Sequence, residues 1–234
     1  NIEVINETCK LAGIERLTPD NVNINDEKVW KSILESSLGV FQWESNTAHS
    51  LYKRLFSSST IKKIKEKNPN FNYMDLFSAG NAALRPSGDS YRDRMCEGEF
   101  ADHGFKPLND FLSDTMGYLI YQEQIQNFLV EFCGFTQAEA DLVRRGLAKK
   151  YGTEQFIPDI KRRFIETMNL KYNIDEKEAT RIVEPFLQVI LDASSYGFSI
   201  NHSQSYSYIG YINAYLRYYY PYEYITTLLN IRYD

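Results

Sequence analysis

The sequence predicts a predominantly α-helical chain, on three observations. Apolar residues recur at three- and four-residue spacing over most of its length, most cleanly at Ala179, Ile182, Val183, Phe186, Leu187 and Ile190. Helix starts carry capping chemistry, clearest in Thr136-Gln137-Ala138-Glu139, a capping box. Only Leu38 to Glu44 (LGVFQWE) reads as a strand, and it is short.

Taken in order, Ile2, Ile5, Cys9 and Ala12 form a helical stripe that Gly13 closes. Asp26 is a good N-cap for a helix turning Val29, Trp30, Ile33 and Leu34 inward. After the strand candidate, Asn46 is expected to cap a helix through Leu51, Tyr52 and Leu55. The lysine-rich segment Ser57 to Asn70 reads as a solvated surface excursion. A helical pattern from Tyr73 to Leu84 ends at Arg85-Pro86, where the proline pushes Arg85 into extended backbone. Asp89 to Lys106 is weakly periodic. Leu119 to Phe132 is a strong helix with Tyr121, Ile125, Phe128, Leu129 and Phe132 on one face, stopped by Gly134. The capped helix that follows turns Ala140, Val143 and Leu147 inward and presents Arg144, Arg145, Lys149 and Lys150 outward. Pro158 is expected to begin the next helix, through Ile160, Phe164 and Met168.

The last third is dominated by Asp192 to Tyr224, which holds more than half of the 18 tyrosines. Helical spacing puts Tyr208, Tyr211, Ile212, Tyr215 and Tyr219 on one face, predicted to be core with hydroxyls reaching polar partners. His202, Tyr206, Gly210, Asn213 and Arg217 fall opposite, with the glycine leaving room for close approach. Asn201 or Ser203 is a candidate cap, which would leave free N–H groups suited to an anion. Pro221 ends or kinks the helix.

Composition narrows the function classes. At 234 residues and 43% hydrophobic, the chain is long and apolar enough for a real core. A net charge of −5 disfavours coating nucleic acid by charge alone while permitting a local basic site. No apolar run reaches membrane-spanning length. The three cysteines form no C-x-x-C pair, which suits a reducing cytoplasm. The start at Asn1, without methionine, reads as a piece of a longer protein.

Arg144-Arg145-Gly146-Leu147-Ala148-Lys149-Lys150 is the densest basic patch. A charge run on a helix is usually a solvated face. Here an apolar stripe anchors the helix and a glycine between the cation pairs opens the surface, so a phosphate partner is expected. No D-x-D pair, phosphate-cradling glycine loop or activated nucleophile appears, and no metal ligand set is expected within the chain.

Several segments, in order, resemble the C-family replicative DNA polymerases of bacteria. Gly39-Val40-Phe41-Gln42-Trp43-Glu44-Ser45 is similar to that family's G-V-F-Q-x-E-S, and Leu84-Arg85-Pro86 to its arginine-proline turn. Tyr121-Gln122-Glu123-Gln124 matches Y-Q-E-Q, and Ala140 to Lys150 resembles A-D-L-L-R-R-A-M-G-K-K. Tyr196-Gly197-Phe198, His202-Ser203 and Tyr206 follow Y-G-F-N-K-S-H-S-x-x-Y. Two departures stand out: Ile200 replaces the family lysine, and Ser57 to Asn70 is longer than its usual counterpart. Both fit a divergent member, such as a phage-encoded one.

The resemblance implies a multi-helix, fingers-type fold, with residues 1–45 palm-adjacent and residues 46–234 forming the fingers. It implies a template-directed polymerase that binds the incoming deoxynucleoside triphosphate and the template-primer end. Arg85, Arg144, Arg145 and His202 are the expected phosphate-binding residues, supported by Lys149, Lys150, Ser203 and Tyr206. Magnesium would be held on palm aspartates outside the chain, and the remaining palm and thumb domains would be partners. On the residues alone, two rivals stand beside this. One is a helical nucleic-acid-binding adaptor in which GFTQAEADLVRRGL acts as a helix-turn-helix-like reader. The other is a protein–protein scaffold docking through its tyrosine helix, which burial of Tyr208, Tyr211 and Tyr215 would disfavour.

Overall fold

The computed structural model describes residues 1–151 and 153–233. Among them the regular structure is helical, and two short 3-10 turns join thirteen α-helices. The chain divides into two compact units, one formed by residues 1–99 and 201–234, the other by residues 100–200.

In the first unit, α1 (Ile2–Ala12) lies against α13 (Pro221–Tyr233), the latter starting on the proline expected to interrupt the tyrosine helix. Between them in sequence come α2 (Glu27–Glu35), α3 (Asn46–Leu55), α4 (Ser58–Lys67), α5 (Tyr73–Ala83), α6 (Arg92–Cys96) and α12 (Ile200–Tyr219). The core is aromatic. Trp43 stacks on Phe77 at 4.9 Å, Tyr52 on Phe56 at 4.2 Å, and Trp30 meets Tyr211 at 4.4 Å. Buried phenols need partners, and these find backbone carbonyls: Tyr52 donates to Trp30, Tyr211 to Asn23 and Tyr224 to Gly39.

Four expectations are corrected here. The stretch Leu38 to Glu44 forms no strand. Gly39 (φ 75°) and Gln42 (φ 72°) adopt left-handed backbone, and the segment curls into successive turns. The Glu44 side chain closes them by accepting from the Gly39 N–H at 2.7 Å. Val40 and Trp43, three residues apart, would fall on opposite faces of a strand, but both are fully buried by this curl. Second, Ser45 rather than Asn46 caps α3, its hydroxyl accepting from the Ala48 N–H. Third, the Ser57–Asn70 segment contains a helix, capped by Ser57, that buries Thr60, Ile61 and Ile64. Three buried positions among four lysines make too narrow a stripe to stand out in sequence. Fourth, α12 is buried on two sides, with Gly210 and Asn213 as covered as Tyr211 and Ile212. Tyr211 is fully buried, whereas Tyr208 and Tyr215 are partly covered and Tyr219 is exposed.

The second unit contains α7 (Lys106–Phe111), α8 (Gln122–Cys133), α9 (Gln137–Ala148), α10 (Thr153–Tyr172) and α11 (Glu176–Ser194). α8 packs on α9 and α10, and α10 on α11. The periodic apolar residues read from the sequence form this core: Phe128, Phe132, Phe164 and Phe186 meet ring to ring inside it. Gly134 ends α8 at φ 67°, and the Thr136–Glu139 capping box is present on both sides. The helix expected to begin at Pro158 begins at Thr153 instead. The proline lies in its second turn, where it removes a single intrahelical bond, and the helix runs through it.

Candidate phosphate-binding site

In the second unit the basic pair on α9 shares one carboxylate. Asp141 stands one turn before both arginines on α9. Its carboxylate takes Arg144 Nη2 at 2.7 Å and Arg145 Nη2 at 2.5 Å. These hydrogen bonds, Arg144's first, hold the Asp141 carboxyl below the usual carboxylate range. The two arginines are not equivalent. Arg145 is 66% exposed, as expected, but Arg144 is only 19% exposed. Arg144 is covered because its Nη1 donates to Gln122 Oε1 on α8 at 2.9 Å. Held at two points, its guanidinium is a fixed fork with two of five N–H donors used by these bonds. Lys149 and Lys150 are exposed at the end of α9, Lys150 in left-handed backbone at φ 54°.

Gly146 does not open the surface as expected. A Cβ there would meet the Phe156 ring at 2.3 Å, so the glycine seats α10's aromatic side chain between the two cation pairs.

The start of α8 gathers further motif residues. The Gln122 N–H donates to the Phe198 carbonyl at 3.1 Å, beside an isolated parallel bridge between Tyr121 and Phe198. Gly197 packs against Gln122, where a Cβ would lie 3.2 Å from its Cβ. The Glu123 carboxylate accepts from Ser199 Oγ at 2.8 Å and from the Ile200 N–H at 2.9 Å. Gln124 turns back to the Ile120 and Tyr121 N–H groups and donates to Thr115. The first N–H of α12 is thus engaged by a carboxylate. The helix begins at Ile200, before either residue expected to cap it.

In the first unit, Arg85 is exposed and extended (φ −78°, ψ 159°), as its proline requires. Arg92 staples this turn, donating to the carbonyls of Ala83 and Arg85 and to Asp89. His202 is exposed on the first turn of α12 and lies 4.1 Å from the Tyr206 ring. Tyr206 in turn meets Phe41 edge-on at 5.2 Å. Ser203 is fully buried, its hydroxyl donating to the Ser78 carbonyl at 2.8 Å, so its immediate partner is backbone. A cavity of about 480 Å³ between α2 and α4 is lined by none of the eight candidates.

Sequence reasoning missed Gln122, Glu123 and Asp141. Asp141 had a signal, since an acid three and four residues before two arginines pairs with both on a helix. Gln122 and Arg144 are 22 residues apart, and no local spacing links them.

Residues 81–171 match the profile of the bacterial DNA polymerase III alpha subunit finger domain. The chain is similar to the DNA polymerase III subunit alpha of Helicobacter pylori (strain ATCC 700392 / 26695), with 32% identity covering 97% of this chain and 18% of that protein. That of Campylobacter jejuni subsp. jejuni is 31% identical, covering 97% and 18%. That of Ureaplasma parvum serovar 3 is 30% identical, covering 90% and 20%. The chain spans about a fifth of the length of these curated relatives.

Proposed function

The chain belongs to the fingers region of the bacterial DNA polymerase III α-subunit family, and from that premise we propose that it binds the triphosphate of an incoming deoxynucleoside triphosphate at the template-primer end. The observation that carries this reading is the mounting of Arg144. A guanidinium fixed by Asp141 and Gln122 is arranged before any phosphate arrives, and its remaining donors suit phosphate oxygens. Arg145 shares Asp141 and extends the positive field outward. Lys149 and Lys150 add point charges at the helix end, where cations also suit the helix dipole. In the first unit, Arg85, His202, Ser203 and Tyr206 are proposed phosphate-binding residues in their own right, Ser203 through its grip on α5.

Under this reading residues 1–45 are the palm-adjacent lead-in and residues 46–234 the fingers. The DNA template-primer, deoxynucleoside triphosphates and the palm and thumb domains are its partners. The residues here do not fit a magnesium site. Among those described, no group of three or more His, Cys, Asp or Glu side chains could hold a metal ion, and Asp141 is already committed to two guanidiniums. The role assigned to this chain is electrostatic: its cations bind and orient phosphates, and nucleotidyl transfer takes place on groups outside it.

Replacing Arg144 and Arg145 together with Ala in the complete polymerase subunit tests this. Each lost charged hydrogen bond should cost on the order of 1.5–3 kcal/mol. That loss should appear as a raised nucleotide KM or a lowered kcat, with the melting transition near that of the parent. Unchanged kinetics would leave Arg145 an ordinary solvated residue and Arg144 a structural tie between α9 and α8.

A further inference from the structure

The first turn of α8, which supplies one of the two groups that fix Arg144, also holds the segment leading into α12. Gln122 contacts Arg144 through its side chain and Phe198 through its backbone. The neighbouring Glu123 takes the Ser199 hydroxyl and the Ile200 N–H. Gln124 ties the same turn to the backbone before it. Two segments far apart in the chain, α9 and residues 197–200, therefore meet on one turn of α8.

We propose that Gln122 is a positioning residue for nucleotide binding, setting the guanidinium of Arg144 in the orientation that receives phosphate. This rests on the phosphate-binding reading of Arg144. The physical case is one of geometry and charge. Arg144 could satisfy Asp141 in several rotamers, because an ion pair one turn away on the same helix constrains direction weakly. The acceptor on α8 removes that freedom, and a neutral amide does so without cancelling the positive charge. A carboxylate at position 122 would orient Arg144 equally well but neutralise it. Gln122 is itself held from two sides: its N–H is bound to Phe198, and Gly197 packs against its Cβ. A freely rotating surface glutamine would not serve.

The test uses the complete polymerase subunit and four variants: R144A, Gln122→Met, Gln122→Glu and the double variant Q122M/R144A. Gln122→Met keeps the side-chain length and removes the acceptor. Gln122 is only partly buried, so these variants should fold, and thermal melting checks that they do. The nucleotide KM should rise roughly tenfold in Q122M, the equivalent of about one lost hydrogen bond. Q122E should raise it as well, because its guanidinium is oriented but neutralised. The double variant should be no worse than R144A alone, since a positioning residue has nothing left to position. Effects of Q122M and R144A that multiply, or a Q122M enzyme with parental KM beside an impaired R144A, would overturn the inference while leaving the phosphate reading intact. A parental R144A enzyme would remove both.

Discussion

Single residues show how tightly the turns around the candidate site are built. Gly88 follows Arg85-Pro86-Ser87, and a Cβ on it would lie 2.3 Å from the Ala83 carbonyl oxygen. Backbone cannot yield as a side-chain tip can, so Gly88→Ala should destabilise the protein by about 1–3 kcal/mol. Gly13 makes the contrast. A Cβ there meets nothing within 4 Å, and only its φ of 67° opposes a side chain, so Gly13→Ala should cost roughly 1 kcal/mol. Chemical denaturation of the two variants measures the difference; equal midpoint shifts would show that the close approach at Gly88 relaxes freely. Gly210 is a close-approach glycine in the same terms. Something does approach the backbone there, but it is the Phe41 carbonyl of the protein itself, 2.9 Å from where a Cβ would stand. Sequence spacing reveals that a glycine leaves space and is silent on what fills it.

At the scale of elements, the curl from Gly39 to Glu44 is the clearest departure from expectation. A short apolar and aromatic run bounded by turn residues reads as a strand, but periodicity over so few residues cannot separate it from a turn that buries Val40 and Trp43, three residues apart. What closes the curl is an acid gripped from 188 residues away: Arg232 donates to both Glu44 oxygens, at 3.0 and 2.6 Å. Burial raises the Glu44 pKa, but Arg232 and the Gly39 N–H outweigh it, and the carboxyl is held below its ordinary value. A carboxyl depressed in the folded state contributes stability that is present above its unfolded pKa of about 4.3 and is lost as pH falls through the folded value. Glu44→Gln should therefore be less stable than the parent at pH 7, with the gap narrowing below about pH 4. A gap that stays constant from neutral to acid pH would mean that the ion pair does not stabilise this turn. By contrast, α9 was legible from its capping box onward, and α8 and α11 from their single apolar stripes, although α8 begins at Gln122, three residues after the expected Leu119, with Tyr121 as its extended N-cap.

On the scale of the whole molecule, an acidic chain carries its densest cations on one helix, fixed by an aspartate and a glutamine. The cations themselves were readable as a charge run. The hold of Asp141 on both arginines had a local signal, but that of Gln122 on Arg144 did not, because it depends on α8 and α9 packing side by side. Arg144 and Arg145 are proposed to act on phosphate and not on base, sugar or fold. The most direct measurement is the ground-state Kd of the complete polymerase subunit for a deoxynucleoside triphosphate and for its monophosphate, in the parent and in the R144A/R145A variant. If the arginines hold the outer phosphates, the variant should lose about tenfold or more in triphosphate affinity, the equivalent of roughly 1.4 kcal/mol, and much less in monophosphate affinity. An equal loss for both ligands, or none for either, would contradict it.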